Sequence, residues 1–210
     1  MEVRIPPNDL PGTLILPART QAVVAFAHGS GSGRFSPRNR QVAARLHQEC
    51  LGTLLFDLLT EREADDRRNV FDIPLLARRL GEAIDFLHSD ATTRKLPLGL
   101  FGASTGAAAA LVAAAQRPAQ VSAIVSRGGR PDLAGDRLPL VRAPTLLIVG
   151  GADTEVLMLN RAAERQMTCT CRLDVVPQAT HLFEEPGTLE QVAERAARWF
   201  GLHCMVKPLE

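Results

Sequence analysis

Three residue types that together can activate a hydroxyl lie along this chain, each directly after an apolar run. Gly102-Ala103-Ser104-Thr105-Gly106 has the pattern G-x-S-x-G and separates the apolar run 96–101 from the alanine-rich stretch 107–115. Strand, sharp turn and helix in that order lift a serine hydroxyl above a sheet edge and aim a helix N-terminus at it. The flanking glycines are required because the backbone there passes too close to its neighbours for side chains. Ser104 is the candidate nucleophile. A serine hydroxyl is a weak nucleophile at neutral pH, so a base must take its proton, and a third group must orient that base. His181 follows the run 171–176 and is the only histidine after a late strand. Asp153 follows Gly150-Gly151 at the end of the run 145–149. His181 would act as base and then as acid, while Asp153 would fix its tautomer and stabilise the imidazolium. Asp132, in the loop after the preceding strand, is a rival acid. Asp153 is preferred because its two glycines permit a tight turn that presents the carboxylate just beyond its strand.

An attacked carbonyl also needs donors for its oxyanion. The backbone N–H of Thr105 is one. The other should come from the loop after the run 22–27, where Ser30 follows His28-Gly29, with Gly31 as the alternative donor and a substrate contact. His28 reads as a loop brace hydrogen-bonded to backbone. Arg127 and Arg130 follow the strand 121–125 at the same rim, where guanidinium groups could grip a substrate carboxylate or phosphate. Their competing role is in surface pairs with Asp or Glu. Asp57, Asp174, His47, His88 and His203 read as structural or solvent-facing.

The elements that must position these groups alternate between strand and helix, which predicts a mostly parallel sheet with helices on both faces. Residues 1–20 read as a hairpin or edge strands, with a strand at 13–16. Further strands are expected at 22–27, 53–57, 96–101, 121–125, 145–149 and 171–176, and helices at 37–50, 72–89, 107–115 and 156–167. Gly52 is expected just past the end of the first helix. A polar loop spans 61–68, a last helix carries Trp199 and Phe200, and 203–210 read as a tail. No repeat or linker divides the chain, so residues 1–210 read as one domain.

Composition restricts the function classes. The chain has 210 residues, formal net charge +1 and no tyrosine, with aromatics at only 4%. No basic block or aromatic platform suggests a nucleic-acid partner. No apolar run approaches the roughly 20 residues of a membrane span, and the first residues do not resemble a signal peptide. A cytoplasmic protein is expected, with a homodimer allowed. Cys169 and Cys171 read as buried thiols rather than a metal site, and no cofactor is called for.

His28-Gly29-Ser30-Gly31, the Ser104 elbow, Gly150-Gly151-Ala152-Asp153 and Ala179-Thr180-His181 together resemble the α/β-hydrolase superfamily, and the short chain resembles its small dienelactone hydrolase-like branch. The serine, aspartate, histidine order is that of α/β-hydrolases. The resemblance covers about 22–200 and implies an eight-stranded-type sheet and ester hydrolysis through an acyl-enzyme. Segments 29–40 and 56–60 also resemble small hydrolases of that branch, some fused to phosphoribosyltransferase domains. Dienelactone hydrolases proper carry a cysteine in the elbow, so Ser104 turns the expectation toward a serine esterase. Only 126–141 separates the strand at 121–125 from the next, too short for a helical cap domain. An open site for a small or partly exposed substrate follows.

Three other readings compete. Gly29-Ser30-Gly31-Ser32-Gly33 echoes a dinucleotide loop, but G-x-G-x-x-G would need glycine where Arg34 stands. A non-catalytic binding module of the same fold is a second. An acyltransferase or thioesterase would use the same triad.

Overall fold

A computed structural model describes residues 1–204. Its eight strands are β1 (Glu2–Ile5), β2 (Leu10–Ile15), β3 (Ala22–Ala27), β4 (Leu51–Phe56), β5 (Leu98–Ala103), β6 (Ala123–Arg127), β7 (Thr145–Gly150) and β8 (Cys171–Val176). They form one sheet in the order β1-β2-β4-β3-β5-β6-β7-β8. β1 and β2 make the expected N-terminal hairpin, and β2 also pairs antiparallel with β4, while every other pairing is parallel. The helices are α1 (Pro37–Gln48), α2 (Glu61–Ala64), α3 (Ile73–Ser89), α4 (Thr105–Gln116), α5 (Thr154–Glu164) and α6 (Thr188–Cys204).

β3 shows why the sheet is covered twice. All six of its residues are apolar and none is more than 1% exposed. Side chains alternate across a strand, so Val23, Ala25 and Ala27 join the core under α3 and α4. Ala22, Val24 and Phe26 join the core under α1 and α6. Phe26 stands beside Phe101 of β5 in register, with ring centroids 4.8 Å apart. Truncating such a residue typically costs about 3–5 kcal/mol.

The topology also creates the crevice. The chain leaves β3 for α1 on one face and leaves the adjacent β5 for α4 on the other. The loops after β3 and β5 therefore part from each other, and ligands bind at such switch points beyond the carboxyl ends of strands.

Several boundaries differ from expectation. α1 ends at Gln48, and Cys50, at φ +56°, takes the left-handed position expected of a glycine, while Gly52 lies inside β4. The loop expected at 61–68 contains α2, held by a capping box in which Thr60 Oγ accepts the Glu63 N–H at 3.2 Å and Glu63 Oε2 accepts the Thr60 N–H at 3.0 Å. β6 runs on to Arg127, so that arginine ends a strand rather than beginning a loop. Between β6 and β7 lies only a 3-10 segment, Pro131–Leu140, kinked at Gly135, and no cap domain. His203 and Cys204 belong to α6 rather than to a tail; residues 205–210 of that expected tail lie outside the described residues. Cys169 precedes β8 and Cys171 opens it, so the two do not share a strand. Cys171 Sγ rests 3.5 Å from Met167 Sδ, and burial pushes its thiol up to about 12.

Candidate active site

The elbow is built by close approaches. A Cβ on Gly102 would lie 2.4 Å from Ala107 Cα, and one on Gly106 would lie 2.1 Å from the Ala27 carbonyl oxygen. Neither position admits a side chain, so helix α4 can start directly against β3 and β5. Ser104 itself is held at φ +51°, ψ −121°, a conformation that costs a non-glycine residue about 1–3 kcal/mol. The surrounding backbone imposes it. Ser104 N–H donates to the Arg127 carbonyl at 3.2 Å, and its own carbonyl accepts the N–H groups of Ala107 and Arg130, both at 3.1 Å.

The acid and the histidine are joined. His181 Nδ1 lies 2.7 Å from Asp153 Oδ2, with the carboxylate side chain 14% exposed. The two loops are stitched together by backbone: Ala152 N–H donates to the Ala179 carbonyl at 3.0 Å, and Gly151 N–H to the Val176 carbonyl at 2.8 Å. Gly150 lets them close, because a Cβ there would stand 2.2 Å from the Ala179 carbonyl oxygen. The rival Asp132 is engaged elsewhere, taking Nε and Nη2 of Arg130 on its two oxygens at 2.9 and 2.8 Å. Gly128, one residue beyond the strand residue that binds Ser104, faces the His181 ring; a Cβ there would lie 3.6 Å from its Cε1. The serine, the histidine and the aspartate thus share the rim formed by the ends of β5, β6, β7 and β8.

The loop after β3 meets the elbow from the other side. A Cβ on Gly29 would lie 3.0 Å from Ser104 Cβ, and Ser30 N–H donates to Thr105 Oγ1 at 3.1 Å. The two residues expected to supply oxyanion donors therefore touch, and the Thr105 hydroxyl occupies the Ser30 donor. That contact had no signal in the sequence beyond a threonine directly after the serine. His28 braces the loop: its Nδ1–H donates to the Gly29 carbonyl, and its Nε2 accepts the Leu58 N–H, both at 3.0 Å. Burial keeps this imidazole below its ordinary pKa, hence neutral.

A cavity of about 1070 Å³ opens beside this loop, with Gly31, at φ +70°, in its wall. Leu58, Leu59 and Leu76 give it an apolar side, and Asn8 and Asp9 bring the N-terminal hairpin to it. The wall from β4 and the hairpin was not legible in the sequence, because it depends on β2 lying against β4. Arg34, in the same wall, pairs with Glu2 and Asp57. Of the two rim arginines, Arg130 is consumed by Asp132, whereas Arg127 is 8% exposed with Nε and Nη1 unpartnered. Among the described residues no group of three His, Cys, Asp or Glu is placed to hold a metal ion, and no helix is long and apolar enough to cross a membrane.

This fold and elbow are those of the α/β-hydrolases. The family model described as the alpha/beta hydrolase domain matches residues 20–199, and the chain belongs to that family. Within it the chain falls in the dienelactone hydrolase-like branch: the crystal structure of a dienelactone hydrolase from Anabaena variabilis is 52% identical, with a TM-score of 0.94 over 97% of this chain and 96% of that one. A Mycobacterium tuberculosis protein provisionally named a phosphoribosyl transferase is 57% identical over 201 residues, which are 95% of this chain but 45% of that protein. The chain thus spans less than half the length of this curated relative. Est1E from Butyrivibrio proteoclasticus shares the fold at a TM-score of 0.79 and 16% identity, covering 96% of this chain and 97% of that one.

Proposed function

We propose that this chain is a serine hydrolase that cleaves a small ester, lactone or thioester through an acyl-enzyme, with Ser104 as nucleophile, His181 as base and Asp153 as its orienting acid. The observation that carries the reading is the 2.7 Å contact between Asp153 and His181 on the rim where the strained Ser104 elbow is presented. The carboxylate at Nδ1 keeps the proton on that nitrogen and leaves Nε2 free to accept one.

In the first half-reaction, Ser104 Oγ attacks the carbonyl carbon while His181 Nε2 takes the hydroxyl proton. The carbonyl oxygen gains the negative charge and is met by the Thr105 N–H at the N-terminus of α4 and by the N–H of Gly31, the alternative donor, since the Thr105 hydroxyl already holds the Ser30 N–H. Collapse breaks the bond to the leaving oxygen or sulfur, which receives the proton from His181. Water then repeats the attack on the acyl-serine, with His181 again accepting and returning a proton, and the acid is released. Asp153 offsets the charge of the imidazolium.

The cavity beside Gly31 and Leu58 would take the substrate. The short 3-10 segment between β6 and β7 leaves it without a cap, which supports a small or partly exposed substrate over a long acyl chain. The transferase name of the mycobacterial relative belongs to a protein of which the matched region is 45%, and the elbow with its acid–histidine pair supports hydrolysis for this part. Steady-state assays on short-chain esters, lactones and thioesters test the reading. Turnover of at least one class that disappears in Ser104→Ala supports it; turnover equal in both proteins rejects it.

A further inference from the structure

The sheet face beneath α1 carries a charge that nothing among the described residues balances. Arg127 is 8% exposed, and its Nε and Nη1 are buried without a hydrogen-bond partner. Its same-face neighbour in β6, Val125, packs in the core under α1 and α6, so alternation sends the guanidinium to that side. Burial first, and then the like charge of Arg38, pull it down to about 10, which still leaves it protonated at neutral pH. A guanidinium cannot shed its charge to suit such a place, so it requires an anion.

The surroundings are built the same way. Arg38 is the second residue of α1, and its Nε is likewise buried and unpartnered. Among the described residues its Nη1 reaches only Glu184, a largely exposed carboxylate, at 3.5 Å. The first turn of α1 contains no acidic residue, so the positive end of a 12-residue helix is added to two guanidinium groups.

We propose that Arg127 and Arg38, beneath the first turn of α1, form a binding site for a compact oxyanion, a phosphoryl or carboxylate group. Planar guanidinium donors fit two oxygens of such a group at once. The site is distinct from the cavity beside Gly31, whose wall includes Arg34, Leu58 and Thr105 but neither Arg127 nor Arg38. It is coupled to the nucleophile all the same, because the Arg127 carbonyl accepts the Ser104 N–H. The oxyanion arrives either free in solution or carried on the ester, the second case resting on the hydrolase reading above.

Thermal unfolding tests binding without reference to activity. Inorganic phosphate and acetate are titrated against chloride at matched ionic strength, with wild type, Arg127→Met and Arg38→Gln compared. The expected result is a rise in Tm of ~3 °C or more with phosphate or acetate in the wild type, absent with chloride and lost in both variants. Without added anion, Arg127→Met should melt no lower than wild type, since it removes an unbalanced charge. No oxyanion-specific rise in the wild type, or the same rise in Arg127→Met, overturns the proposal. Should Arg127→Met not fold, the half-exposed Arg38→Gln decides in its place: a lost rise supports the site, and an unchanged rise overturns it. Kinetics then separate the two sources: a ratio of KM for anionic over neutral esters that rises ~tenfold in Arg127→Met places the group on the substrate. An unchanged ratio beside a lost thermal shift places it in solution.

Discussion

Ser30 and Thr105 lie 75 positions apart, and the backbone N–H of one donates to the side-chain hydroxyl of the other at 3.1 Å. Both border the proposed oxyanion site, and the hydroxyl holds the loop after β3 against the start of α4 before any substrate arrives. Preorganised donors need no rearrangement as charge develops, and that economy is the source of their catalytic value.

Thr105→Val removes the acceptor while keeping the branched shape. The Ser30 N–H loses its anchor, worth about 1 kcal/mol for a neutral hydrogen bond, so kcat should fall about fivefold. KM should change little, because the interaction matters where charge develops. Steady-state kinetics on the preferred ester check this, and an increase in kcat would mean that the hydroxyl competes with the oxyanion instead of placing its donor.

Asp153→Asn should lower kcat by about 10³–10⁴-fold with the fold intact, because an amide can donate to Nδ1 and so favour the wrong tautomer. Asp132→Asn should leave kcat within about threefold of wild type, since Asp132 serves Arg130 rather than His181. Parallel kinetics on the two variants decide between the acids. Comparable large losses, or a larger loss at Asp132, would contradict the assignment.

The elbow strain has a stability consequence. Ser104 sits at φ +51°, where glycine is unpenalised, so Ser104→Gly should raise the unfolding free energy by about 1 kcal/mol while removing the proposed nucleophile. A higher urea midpoint at unchanged m-value is the expected outcome. Gly106→Ala should act in the opposite direction, because its Cβ would meet the Ala27 carbonyl oxygen at 2.1 Å. Overpacking of this kind typically costs about 1–3 kcal/mol.

His28 supplies a pH dependence. Its folded pKa is depressed by burial below the ordinary value of 6.5. Between the folded and unfolded values the unfolded chain binds more protons, so stability rises with pH through that window. The contribution is present above about pH 6.5 and is lost as pH falls toward the folded value. Urea midpoints measured from pH 8 to pH 5 should decline on the acid side. His28→Asn should flatten that decline; an equal slope in the variant would show that another group titrates.

The physics of local sequence explains what could be read and what could not. β3 and β8 appear at 22–27 and 171–176 as expected, because their ends are marked by sharp changes in polarity or by turn residues. The elbow was legible for a different reason: Gly102 and Gly106 are forced by contacts inside ten residues of chain and across to β3. The strand expected at 121–125 lies two residues before β6, since Ser126 and Arg127 do not look like buried strand residues, although both are under 9% exposed. α2 carried a readable signal, Thr60 followed three residues later by Glu63, within a run of charge that resembled a loop. The joining of Asp153 to His181 was inferable from their places after strands. The contact between Ser30 and Thr105 and the wall brought by the hairpin were not, because each depends on tertiary placement of segments far apart in the chain.

The central claim is that Ser104 is an activated nucleophile. Incubation with a fluorophosphonate, followed by mass spectrometry of the digested protein, tests it most directly. The account predicts a stoichiometric adduct on Ser104 in the wild type, none in Ser104→Ala, and a labelling rate reduced at least about 100-fold in His181→Ala. An unlabelled Ser104 under conditions that fully label a control esterase, or an adduct on another residue, would contradict it.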